Sequence, residues 1–329
     1  MKRLRWILAC GGVLMLACTA RFIRPVDKAP FPSTPERLAR GEYLVRSVAA
    51  CGACHGARLS GSWLEEEPAE TPLSGGNTIA DEGARLWVPN ITSDPETGLG
   101  TWSDDEVMRA IRDGIRPDGK LLFPAMPFND FQHLSDEDAR SIVVYLRSLP
   151  PTRAPAAREA NVIPFFARFF LLKVGVAHHA PVHDIPAPPA DPQSQGAYLV
   201  SVAGCTYCHS RTARGDPREA GDPLFMAGSE APFDDPRLGK VWAANLTPCP
   251  DTGLGRFSEE QVKQAIRTGI RLDGKTMAPP MFAFRQHYSG MTDEDLTAVV
   301  AFLRALPPSK NKVPERQLVP EMKARVGED

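Results

Sequence analysis

The amino-acid sequence predicts an all-α protein built from two tandem copies of one helical domain, joined by a proline-rich apolar connector. Three observations lead there. Four segments recur in the same order in both halves of the 329 residues. Apolar residues within each copy follow helical spacing, with no convincing strand alternation. Between the copies lies a stretch dense in proline and phenylalanine. The division expected is 1–18 signal peptide with lipidation box, 19–33 tether, 34–150 first domain, 151–190 linker, 191–308 second domain and 309–329 a loose polar tail.

The repeat is specific. GEYLVRSVAACGACH (41–55) matches GAYLVSVAGCTYCH (196–209) with one residue fewer. NITSDPETGLGTWSDDE (90–106) matches NLTPCPDTGLGRFSEEQ (245–261). IRDGIRPDGK (111–120) matches IRTGIRLDGK (266–275), and LSDEDARSIVVYLRSLPP (134–151) matches MTDEDLTAVVAFLRALPP (291–308).

Each copy carries its own helix punctuation. Thr34-Pro35 and Asp191-Pro192 place a capping side chain before proline at the first helical position. Ser103 with Glu106, and Ser258 with Gln261, form capping boxes. Gly114 and Gly269 sit where a left-handed stop belongs. Ser135 and Thr292 open a last helix that ends in Pro-Pro both times. The first of these helices buries Ile142, Val143, Tyr145, Leu146 and Leu149, the second Val299, Phe302, Leu303 and Leu306.

Composition excludes little but points outward. A formal net charge of −2 is no nucleic-acid footprint. Lys2, Arg3 and Arg5 precede an apolar run from Trp6 to Ala17, shorter than the roughly 20 residues of a membrane span. Met15-Leu16-Ala17-Cys18 resembles a bacterial lipoprotein box, with Met15 where leucine is usual and Cys18 as the lipid-bearing residue. Export to the periplasm follows on each reading of this leader: a lipid tether on Cys18, which is preferred, a plainly cleaved signal, or an uncleaved anchor. In the connector, Val162 to Ala177 is apolar, and is read as an arm packing on the two domains; docking to a membrane or partner is the other reading.

Seven cysteines sort by place. Cys10 and Cys18 belong to the leader, and Cys249 is a small loop residue without a role. The other four form CGACH (Cys51–His55) and CTYCH (Cys205–His209), 154 residues apart. C-x-x-C-H is the c-type haem attachment signal. Two intervening residues at a helix end turn both sulfurs to one side, and the adjacent imidazole swings over the iron. Cys51, Cys54, Cys205 and Cys208 are therefore the thioether-forming residues, and His55 and His209 the proximal ligands. A thioredoxin-type pair does not require the histidine and expects a βαβ setting. A pooled zinc Cys₄ site expects its pairs about 15–20 residues apart.

The sixth ligand should come later in each copy. After DGK the sequences read LLFPAMPFNDF and TMAPPMFAFRQ, and counting from Asp118 and Asp273 sets Met126 opposite Met281. A thioether on a proline-braced loop is a good iron ligand and raises the potential. Met108 reads as core filler, Met277 as the competitor to Met281. His133 and His287 precede the last helices at surface or hydrogen-bonding positions, and His178 and His179 lie in the connector.

With these motifs the chain resembles class I cytochrome c domains, and more narrowly the cytochrome c subunits of bacterial membrane-bound alcohol and gluconate dehydrogenases and their free dihaem relatives. Those subunits usually carry three haem motifs against two here. The resemblance implies first and last helices crossing at close range over Gly41 and Gly196, with Tyr145 and Phe302 as aromatic partners. It also implies Asn90, Thr92, Asn245 and Thr247 on a loop at the haem edge, with Trp102 and Phe257 near the ring. The expected function is a non-enzymatic, exported dihaem electron carrier with no catalytic residue. It would pass single electrons between redox proteins such as a membrane-bound dehydrogenase and a terminal oxidase. The alternatives are a dihaem peroxidase-like enzyme and a cytochrome subunit held in a dehydrogenase complex.

Overall fold

In each half, a first and a last helix cross at a glycine. Helix α1 (Pro35–Tyr43) starts from Thr34, whose hydroxyl accepts the Arg37 N–H at 3.3 Å, and packs on α5 (Asp136–Ser148), capped by Ser135. A Cβ on Gly41 would lie 2.0 Å from the Ser141 carbonyl oxygen and 2.7 Å from the Tyr145 Cβ. The second half repeats this with α6 (Pro192–Val202) on α10 (Asp293–Ala305). There a Cβ on Gly196 would meet the Ala298 oxygen at 2.0 Å and the Phe302 Cβ at 2.7 Å. The two named aromatic residues thus stand where the resemblance put them.

The computed structural model describes residues 25–57, 71–76, 78–81, 84–154, 162–163, 183–213 and 218–328. The leader with Cys10 and Cys18, and most of the connector including His178 and His179, lie outside the described residues. Among the described residues no helix is long and apolar enough to cross a membrane.

Between the crossing helices lie the haem-motif helices α2 (Gly52–His55) and α7 (Cys205–His209), the capping-box helices α3 (Asp104–Asp113) and α8 (Glu259–Thr268), and α4 (Phe128–Phe131) and α9 (Met281–Tyr288). Both capping boxes close in both directions, and α3 and α8 stop on Gly114 and Gly269 with φ of 65° and 66°.

The extra residue of the first copy has a structural address. Where α6 is regular, α1 runs into a π-helical turn over Leu44–Val48, and the inserted residue is Arg46. A one-residue insertion is absorbed this way without rotating the flanking helix faces.

The helix-rich structure fits the all-α expectation, and a few short antiparallel pairs add to it. Strand β1 (Thr78–Asp81) pairs with β2 (Ala84–Trp87). Strand β3 (Leu121–Leu122) pairs with β4 (Val162–Ile163), so this part of the connector lies along the first half. Strand β5 (Phe233–Asp235) pairs with β6 (Gly239–Val241), and β6 with β7 (Gln317–Leu318), Gly239 opposite Leu318. Segments of two to four residues are too short to display a period, and their pairing is made by tertiary contact.

The tail corrects the expectation of a loose polar segment. Beyond β7 it forms α11 (Pro320–Arg325), and Leu318, Met322 and Val326 are buried with Leu238 and Ala278. Spacing of four residues puts these three on one side. The tether is likewise pinned at its end. The Asp27 and Phe31 N–H groups donate to Asp105 and Asp104 at 2.7 and 2.8 Å, and Lys28 pairs with Glu106.

The two halves share one core. A single buried cluster runs from Leu44, Val45, Val48 and Tyr145 through Leu134 to Tyr198, Leu199, Met291 and Leu303.

Candidate haem sites

The sites are best built from the histidine outward. The His55 Nδ1 lies 2.9 Å from the Pro89 carbonyl oxygen, and the His209 Nδ1 lies 2.8 Å from that of Ala244. A carbonyl only accepts, so Nδ1 carries the proton and the lone pair is on Nε2. A bond of this kind orients a ligating imidazole. Burial, against that carbonyl bond, holds both rings below the usual histidine range and therefore neutral.

Glycine brings the carbonyl within reach. Gly75 and Gly228 donate their N–H groups to the His55 and His209 carbonyls, each at 2.8 Å, and have φ of 64° and 98°. A Cβ there would lie 2.4 Å from the Pro89 oxygen in the first half and 2.8 Å from the Ala243 oxygen in the second. Sequence reading missed Pro89 and Ala244, since a backbone acceptor leaves no side-chain signature. Their place immediately before Asn90 and Asn245 in the repeat was the available clue.

The cysteines stand in pairs on α2 and α7 and at their N-terminal ends. Burial pushes the Cys51, Cys205 and Cys208 thiols up to about 12, so they are protonated. A redox dithiol or a zinc thiolate needs the opposite shift. Nor do the pairs pool, since among the described residues no three His, Cys, Asp or Glu side chains converge on a metal position. Paired thiols beside an oriented, neutral imidazole, built twice, fit a covalently held c-type haem.

Met126 sits half-buried on the turn after β3, held by N–H to the Phe123 carbonyl at 3.0 Å and by the Phe128 N–H on its own carbonyl at 2.8 Å. Met281 opens α9 behind the cis Pro279–Pro280 bond. Cys51, Met126, Cys205 and Met281 all border the shared core. Met277 is distinguished by its backbone: its N–H bonds the Gly269 carbonyl at 2.8 Å as Leu122 bonds Gly114 at 2.7 Å, which leaves Met281 as the counterpart of Met126.

The Asn-x-Thr segments act as clamps. The Asn90 Nδ2 donates to the Thr152 carbonyl at 2.7 Å and the Asn245 Nδ2 to that of Ser309 at 2.8 Å, tying this loop to the chain just past each last helix. Trp102 borders the core with Arg116 6.0 Å over its ring, and Arg256 lies 4.9 Å over Phe257. Cys249 has a partner after all. It is buried and its sulfur accepts from the Thr252 hydroxyl at 3.4 Å, in the place where Asp94 serves Thr97 in the first half.

His287 is no surface residue. It is 2 % exposed and its Nδ1 donates to the Arg46 carbonyl at 2.8 Å, across the boundary between the halves. Counted back from the caps Ser135 and Thr292, its counterpart is Asp130 rather than His133. Next to it, buried Tyr288 donates to the Ala203 carbonyl at 2.8 Å, two residues before Cys205, and stacks on Phe284 at 5.6 Å.

Comparison with known proteins agrees with this geometry. A family model described as cytochrome c oxidase, cbb3-type, subunit III matches residues 36–146, and one described as cytochrome c matches 193–307. The fructose dehydrogenase cytochrome subunit of Gluconobacter japonicus is 28% identical over 303 residues, 91% of this chain and 58% of that protein. The alcohol dehydrogenase (quinone) cytochrome c subunit of Gluconacetobacter polyoxogenes is 32% identical over 322 residues, 93% of this chain and 62% of that protein. A protein named diheme cytochrome c-type from Cereibacter sphaeroides is 27% identical over 312 residues, 92% of this chain and 99% of its own length. The chain thus spans under two thirds of the two dehydrogenase subunits.

Proposed function

Because the chain belongs to the cytochrome c family and carries two covalently bound c-type haems whose work is electron transfer, we propose the following assignment of its residues. Cys51 and Cys54 hold one haem and Cys205 and Cys208 the other. His55 and His209 would supply the nitrogen ligands of the two irons, and Met126 and Met281 the sulfur ligands. The haem supplies a reversible one-electron change at iron. The chain's own part is to orient each imidazole through Pro89 and Ala244, to brace each methionine on its turn, and to exclude water with the shared core. Axial sulfur and burial both favour the reduced form.

The observation that carries this reading is the Nδ1-to-carbonyl bond made identically in the two halves, with paired thiols beside it. Mass spectrometry of matured protein is expected to find two added porphyrins, one lost in Cys51→Ala/Cys54→Ala and the other in Cys205→Ala/Cys208→Ala. Met126→Ala and Met281→Ala should each abolish the sulfur-to-iron absorption of one haem and lower one potential. An unchanged spectrum would remove that methionine from the ligand set.

The names of the relatives favour a dehydrogenase as electron donor, and the leader favours an exported, lipid-tethered protein in the periplasm. Isolation from native membranes tests both: co-purification with a dehydrogenase, and a lipid on Cys18, are expected. The matched histidine and methionine placement of the halves, and relatives named as cytochromes, set the peroxidase reading aside.

A further inference from the structure

The halves differ at one equivalent position that faces both haem motifs. Asp130 and His287, counterparts in the repeat, each cross to the other half and meet the residue after its first motif cysteine. The Asp130 Oδ1 accepts from the Thr206 hydroxyl at 2.8 Å, and the Asp130 carbonyl lies 3.4 Å from the Ser201 hydroxyl. His287 stands over Gly52, where a Cβ would come within 2.8 Å of the ring Cε1, and its Nδ1 is held by Arg46. The second motif therefore has a buried carboxylate against it, and the first has an imidazole.

Resting on the electron-carrier reading above, we propose that Asp130 makes the second half the lower-potential site, and that the Asp130/His287 exchange sets the direction of travel, from the second half into the first. A fixed negative charge near the iron favours the ferric state, and in a buried interface it is weakly screened. Asp130 is 8 % exposed. It bonds to Thr206, between Cys205 and Cys208, whereas the equivalent place in the first motif, Gly52 between Cys51 and Cys54, meets the His287 ring. Burial pushes the Asp130 carboxyl up to about 6, opposed by the Thr206 hydrogen bond, which leaves it ionised at neutral pH. Asp130 and His287 are positioning residues for the potential and touch no substrate.

The test is spectroelectrochemical titration of the matured full chain at neutral pH. Met281→His, which changes the band of the second half alone, assigns the two waves. The parent should show the second half as the lower wave. Asp130→Asn should raise that wave and leave the other in place, and Asp130→Glu should return it toward the parent. His287→Asp, which transplants the charge, should lower the wave of the first half. The inference is overturned if the second half is the upper wave, or if Asp130→Asn and His287→Asp leave their waves unmoved. Two porphyrins by mass and two one-electron waves in the same samples would leave the carrier reading standing in that event.

Discussion

The Tyr198 hydroxyl donates to the Oδ2 of Asp138 across 2.5 Å, spanning the boundary between the halves, and accepts the Ser135 N–H at 3.3 Å. Its counterpart Tyr43 donates to Asp295 and accepts the Thr292 N–H at 3.2 Å. The first helix of each half thus ties down the N-terminus of the last helix of the other, the reciprocal pattern of a two-fold interface made within one chain. The continuous core behind these bonds makes the two halves one body.

Removing that tie should be measurable. Tyr198→Phe deletes a hydrogen bond to the mostly buried Asp138 carboxylate, which Arg40 also holds, worth about 1.5–3 kcal/mol. The urea midpoint of the holoprotein should fall accordingly. Tyr43→Phe should cost less, since its partners are more exposed. Tyr198→Phe combined with Asp138→Asn should cost less than the sum of the two, because both act on one bond.

The helix crossing tolerates no side chain. Gly196→Ala places a methyl group 2.0 Å from a backbone carbonyl in a helix that cannot shift without opening the core. A loss above about 4 kcal/mol is expected, seen as failure of matured protein to accumulate. Gly274→Ala is the control: it has φ of 85° and nothing within 4 Å, so it meets only backbone strain of about 1–2 kcal/mol.

Two carboxylates should respond to pH with opposite signs. For Asp136, burial opposes the charge, but the Arg112 bond at 2.7 Å, the Ile185 N–H and the Arg112 and Arg140 charges outweigh it and hold the carboxyl below 3.8. Its contribution is present above the unfolded value and lost as pH falls through the folded one. Asp136→Asn should therefore differ from the parent at neutral pH and converge with it in acid. Asp130, raised by burial from 3.8 to about 6, favours folding below 3.8 and loses that contribution as pH rises to 6. Asp130→Asn should match the parent near pH 3.8 and exceed its stability above 6. Denaturant midpoints across this range check both.

The tail should be structural. Met322→Ala removes the middle residue of the stripe over Leu238, which is fully buried. A loss of about 2 kcal/mol or more is expected in urea unfolding of the holoprotein. Lys323→Ala, on an exposed position of the same helix, should leave the midpoint within about 0.5 kcal/mol.

The crossing glycines came from the resemblance alone, whereas the helix caps, the left-handed stops at Gly114 and Gly269 and the C-x-x-C-H segments were legible in the sequence for a common reason. Each is a local or chemically fixed pattern: a capping side chain two or three residues from the N–H it accepts, a φ only glycine takes easily, two thiols at the spacing of one helical turn. The repeat then doubled every such signal, so that counting set Met126 opposite Met281. Tertiary structure alone decided the rest. The strands are too short to carry a period. The orienting acceptors at Pro89 and Ala244 are backbone atoms. The tail's burial depends on what lies beneath it, and the meeting of Asp130 with Thr206 and His287 with Gly52 needs the two halves to face each other. A sequence records which groups a residue brings and what its neighbours along the chain can do. Residues far apart in the chain become neighbours only when the core closes, and that closure sets a carboxylate against Thr206 of one motif and an imidazole against Gly52 of the other.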